Sequence, residues 1–168
     1  MRWILPARSG RRPMRTVLVC AVAALALLWS GCTDAGGEPR RDEQGNMTEQ
    51  GDVSVFHLHL GDCTQDPTLG EVSNVAATPC DQPHAYEVFA VTQYEGDEYR
   101  PVSIDAFAQS SCAAAFSGFV GLPVDDSGLS MTYITPTEPS FGAGDREISC
   151  LVGSDADPTS GSLRGARR

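Results

Sequence analysis

Apolar and polar residues alternate in short runs through the middle of the chain, and one longer stretch repeats at helical steps. In "VSVFHLHL", residues 53–60, Phe56, Leu58 and Leu60 share one face and Val55, His57 and His59 the other, which predicts a strand. "VSNVAAT", 72–78, is a weaker strand. "AYEVFAVTQY", 85–94, is apolar on both faces, as suits a central strand. "LSMTYIT", 129–135, sets Leu129, Met131 and Tyr133 on one side, and "REISCLV", 146–152, groups Ile148, Cys150 and Val152. Between 103 and 121 the period changes. Ile104, Phe107, Ala108, Cys112, Ala115, Phe116 and Phe119 recur every three or four residues and form one apolar stripe. Ser103 is the expected N-cap, Asp105 complements the helix dipole, and Gly121 with Pro123 marks the stop. These elements bury their faces most simply as an α+β fold. It is a small, mainly antiparallel sheet of four to five strands with one packed helix, spanning 53–153.

The ends differ from this middle. Residues 1–15 carry five arginines and no acid, and "TVLVCAVAALALLW", 16–29, is almost wholly apolar. The run is shorter than the roughly 20 residues a membrane span needs and ends in small residues, so 1–31 reads as an export signal. Met14 is a possible alternative start. "LLWSGC" resembles a lipobox, whose cysteine, here Cys32, is diacylated and becomes the mature N-terminus; Trp29 stands where a leucine is usual. Cleavage after Ala35 would instead release a soluble, secreted chain, and an uncleaved run would leave a thin anchor. Residues 32–52 then form the lipidated cysteine and a disordered tether, because Met47 is the one large apolar residue after Cys32 in that span. A 20-residue coil spans about 25 Å. Residues 154–168 read as a second disordered tail.

Charge supports export and excludes one class of partner. All 22 acidic residues lie after Cys32 with seven arginines, a formal balance of −15 for that part, and the chain has no lysine. Such a surface repels phosphate backbones, so nucleic acid is not an expected partner.

Apart from Cys20 in the leader and Cys32, four cysteines remain: Cys63, Cys80, Cys112 and Cys150. An even number in an exported domain of this size argues for two disulfides. Cys112 lies on the helix stripe and Cys150 among core-facing strand residues, so these two bond helix to sheet; Cys63 and Cys80 each end a strand segment and pair across a short excursion. The chain-entropy model assigns them roughly 4 and 3 kcal/mol respectively. There is no C-x-x-C, and a thiol in a helix's apolar stripe is a poor nucleophile.

Among the polar residues, Glu87 sits beside Phe89 and Val91 and needs a partner, for which Arg146 is the natural candidate. His84, Glu87, Asp145 and Arg146 are thus expected to form a polar cluster at one end of the sheet, either fixing that end or binding a small ligand or peptide. His57 and His59 are spaced to chelate a metal with His84 as a third ligand, the alternative to a purely binding domain. No G-x-S-x-G, H-E-x-x-H, P-loop or G-x-G-x-x-G occurs, so no enzyme and no cofactor is expected.

"GDC" at 61–63, "CDQPHAYEV" at 80–88, a helix bearing Cys112 and Phe116, Tyr133-x-x-Pro136, and "GDREISCLV" at 144–152 together resemble the septum formation domain. The likeness covers essentially all of 53–153 and departs at Phe141, where that family usually has Trp. It implies an exported or membrane-anchored actinobacterial protein with a role near cell division, and it assigns no biochemical activity. The expected partners are the membrane, through the lipid, and an envelope protein or cell-wall component.

Overall fold

In the computed structural model, residues 38–66, 73–154 and 156–168 are described. The expected export signal, 1–31, with Cys32 and residues 33–37, lies outside them.

The apolar run at 85–94 becomes the central strand. Among the described residues the strands are β1 (Gly51–Ser54), β2 (Cys63–Thr64), β3 (Asn74–Thr78), β4 (Tyr86–Gln93), β5 (Ser130–Ile134) and β6 (Glu147–Gly153). They form one sheet in the order β1-β3-β2-β4-β6-β5, and every pairing is antiparallel. The count exceeds the expected four to five because the two-residue β2 bridges β3 and β4, and nothing in so short a segment alternates.

The helix α1 (Pro101–Val120) lies on one face of the sheet. Ile104, Ala108, Cys112, Phe116 and Phe119 are buried against Phe89, Ile148, Cys150 and Val152. A bulge between Val88 and Ala90 gives β4 one extra residue, Phe89. Its ring meets Phe116 edge-on at 5.7 Å and Phe119 at 5.8 Å. The helix begins one turn earlier than Ser103 predicts. Proline at the first helical position is pre-set for helix, so Arg100 becomes the N-cap, without a side-chain bond. The helix stops at Gly121, where φ is 88°, a left-handed conformation that favours glycine. The opposite face of the sheet buries Val53, Val55, Leu58, Val75, Ala77, Val88 and Leu151 with Met47. Two disulfides join these parts: Cys63–Cys80 closes the β2–β3 end, and Cys112–Cys150 ties α1 to β6.

Three expectations are corrected. The run 53–60 is not one strand. Ser54 accepts a hydrogen bond from the Phe56 N–H and opens a 3-10 turn, Val55–His57, which breaks the alternation. Val55 and Leu58 are then both buried, while Phe56 and Leu60 are 48% and 57% exposed.

The described part of the tether, 38–52, is folded. Arg41 and Met47 form a bridge around a turn at Asp42, Met47 is buried, and the Arg41 guanidinium holds buried Asp62, with Nη2–Oδ2 at 2.8 Å. A single methionine and a buried ion pair supply what a count of large apolar residues misses.

The tail is also ordered. Thr159 pairs with His84, Leu163 enters the helix-side core, and the N–H groups of Gly165 and Arg167 bond the carbonyls of Phe119 and Val120. Those carbonyls belong to the last turn of α1 and have no partner within the helix. Glu38–Arg168 therefore forms one compact unit.

Candidate functional site

The four residues expected to cluster lie in two places. His84 and Glu87 stand at the start of β4 and face the C-terminal segment. His84 is fully buried; its Nδ1–H donates to the Gln82 carbonyl at 2.9 Å, and Nε2 lies 3.3 Å from the Thr159 hydroxyl. Glu87, 2% exposed, accepts from the Ser162 hydroxyl at 2.7 Å and the Leu163 N–H at 2.6 Å. Both are consumed internally, as anchors for the segment that seals the end of α1.

Asp145 and Arg146 precede β6, next to the far end of β4: the Tyr94 N–H bonds the Arg146 carbonyl, while Glu87 pairs with Val152. Antiparallel pairing puts the start of one strand beside the end of the other, so Glu87 and Arg146 are about 20 Å apart along the sheet. Arg146 instead donates to the Phe141 carbonyl at 2.7 Å and lays its guanidinium 3.3 Å from the centre of the Phe141 ring. Asp145 accepts from the Ser140 hydroxyl and the Glu147 N–H, each at 2.9 Å. Burial, and then the charge of Asp145, push the Glu147 carboxyl up.

His57 and His59 do not share a strand face. His57 ends the 3-10 turn and pairs with Glu38 at 2.8 Å, and His84 is committed to Thr159. Among the described residues no three His, Cys, Asp or Glu side chains assemble as a metal site.

The arrangement that sequence reasoning missed lies at the first turn of α1. There an open groove of about 390 Å³ runs between the helix and the chain leaving β5, lined by Tyr99, Val102, Ile104, Asp105, Thr135 and Pro136. The Tyr133 hydroxyl donates to Asp105 at 2.6 Å, and that bond, then burial, push its pKa up to about 12. Beneath it the rings of Tyr94, Tyr99, Phe107 and Phe141 pack at 5.5–6.4 Å. Phe141 is held by the short helix α2 (Glu138–Gly142), whose Thr137 and Ser140 cap each other reciprocally. At 5% exposure Phe141 is a packing residue, not a surface one. Tyr133-x-x-Pro136, Phe141 and Gly144-Asp145-Arg146 thus converge on this end of the fold, a signal available in the sequence as motifs but not as a place.

The fold and its cross-links define a disulfide-stapled α+β domain with one helix against an antiparallel sheet. The family model for septum formation matches residues 60–166, and the chain belongs to that family. The match includes the C-terminal segment anchored by His84 and Glu87, and membership fits an association with the septum or cell envelope. No protein of curated function and no solved structure matches the chain.

Proposed function

We propose that the chain is an exported, lipid-anchored protein whose domain acts by binding, not by catalysis, at the outer face of the cytoplasmic membrane. The two disulfides carry this reading: such bonds form and persist in oxidising, extracytoplasmic compartments. A leader that is basic, then apolar, then ends in Ser30-Gly31-Cys32 supplies the route, with Cys32 as the acylated residue. Two acyl chains hold such a protein stably on the bilayer. Binding is favoured because His84, Glu87, Asp145 and Arg146 spend their polar atoms on the fold, while the groove beside α1 stays open. Its partner is an envelope protein or cell-wall component at the septum, and the acidic surface keeps nucleic acid away.

Growth with labelled palmitate tests the anchor. The wild type takes up label and Cys32→Ala does not; an unlabelled wild type, or label retained by Cys32→Ala, overturns it.

A further inference from the structure

The groove beside α1 has an open strand edge along it. β5 ends the sheet and, among the described residues, pairs only with β6. Natural edge strands are usually guarded by charge, proline or a bulge. β5 reads Ser-Met-Thr-Tyr-Ile, with no charge and no proline, and its register with β6 is unbroken. The other edge, β1, carries Asp52 and has Pro39 packed against Gly51.

The direction of the free groups on β5 follows from the pairing. Val88 gives its N–H to Asp62 and accepts from Gly61, so it faces away from β6. Leu151, its neighbour on β6, therefore turns to β5 and pairs with Thr132. Alternation then leaves the N–H and C=O groups of Met131 and Tyr133 on the open side. They lead towards Thr135 and Pro136 in the groove, opposite Val102, which is 84% exposed. We propose that the β5 edge and this groove form one strand-addition site for an extended, basic segment of another protein. The main chain of β5 supplies the hydrogen bonds, and the groove receives an apolar side chain.

Charge selects the partner. Asp105 sits in the groove with one oxygen on Tyr133, Asp125 and Asp126 precede β5, and Glu138 follows it, all exposed. Arg168, whose carbonyl accepts from Ser127, approaches the start of this stretch, and Arg100, between the groove residues Tyr99 and Pro101, is already paired with Glu98. A second copy pairing antiparallel through β5 would set Asp125 and Asp126 against its own Glu138, a like-charge arrangement. A segment flanked by Arg or Lys meets the opposite sign at both ends.

This inference rests on the reading of the chain as a binding domain and is independent of the lipid anchor. The probe is a display library of random peptides about ten residues long, enough to pair with β5 and reach both flanks. It is selected on the purified full chain. Enriched peptides should carry Arg or Lys around β-branched residues and slow amide exchange at Met131 and Tyr133. Met131→Pro, which removes an outward N–H, should weaken them about tenfold. Val102→Arg should weaken them and Val102→Glu should not; these two substitutions at one exposed position carry the test if Met131→Pro fails to fold. Binding peptides that leave Met131 and Tyr133 unprotected, or that ignore the charge at 102, overturn this site while the domain remains a binder. Self-association abolished by Met131→Pro assigns the edge to a second copy and overturns it too. A chain that selects no peptide overturns this site and leaves the binding reading to a non-peptide cell-wall component.

Discussion

Replacing Leu163 by Ala tests whether the C-terminal segment belongs to the fold. Leu163 is 3% exposed and lies in the same cluster as Phe119, Val120 and Val152. Its backbone N–H is fixed by Glu87, and the chain on either side is pinned by Thr159 and Gly165. The site therefore cannot collapse freely around a smaller side chain. Truncating a buried leucine in such a setting costs about 3–4 kcal/mol. For a unit of this size that lowers the melting temperature by roughly 10 °C. Both tryptophans, Trp3 and Trp29, lie outside the described residues, so unfolding in urea is followed by far-UV circular dichroism. The midpoint should fall with an unchanged slope. Val102→Ala, at an exposed helix position, is the control and should stay within about 0.5 kcal/mol. If Leu163→Ala changes stability no more than that control, the segment is frayed and its packing is wrong. Glu87→Gln supplies a second arm. It keeps the shape but removes the charge that two donors point at, at a cost of about 1–2 kcal/mol. Its effect should be non-additive with Ser162→Ala, because both change one hydrogen bond.

Two other outcomes follow from polar side-chain contacts, one buried and one exposed. Arg41→Ala leaves Asp62, 2% exposed, without its counter-charge and should destabilise by about 3 kcal/mol in the same urea assay; an effect near zero would return residues 38–50 to a loose tether. Tyr133→Phe should cost about 0.5–1 kcal/mol at neutral pH by deleting the bond to Asp105. The folded-state pKa of Tyr133, about 12, lies above its ordinary value near 10, so the neutral phenol stabilises the fold fully below pH 10. That contribution disappears as pH rises through 12. The difference between wild type and Tyr133→Phe should narrow over that interval, and a constant difference would count against the assignment.

The alternating and helical periods determined much of this protein by themselves. Four of the strands and the long helix fall where apolar spacing places them, because period 2 and period 3.6 each gather apolar side chains on one face in only one local geometry. β1 is the partial case: the alternation at 53–60 marks a strand there, but Ser54 turns the chain out of it. The positions of Cys112 and Cys150 on core-facing stripes were legible for the same reason, and the sulfurs are joined. Other features depended on contacts between residues far apart in the chain. Residues 38–52 and 156–168 have no periodicity. They are held by contacts to distant parts of the chain, among them Arg41 on Asp62 and Ser162 and Leu163 on Glu87, across separations of 21, 75 and 76 residues. Glu87 and Arg146 looked like partners because each needed one. Only the antiparallel register showed that they stand at opposite ends of the sheet. The groove, too, exists only once α1 is laid along β5. Local spacing decides what each segment becomes, whereas buried charge and strand register decide which segments meet, and those depend on the whole chain closing at once.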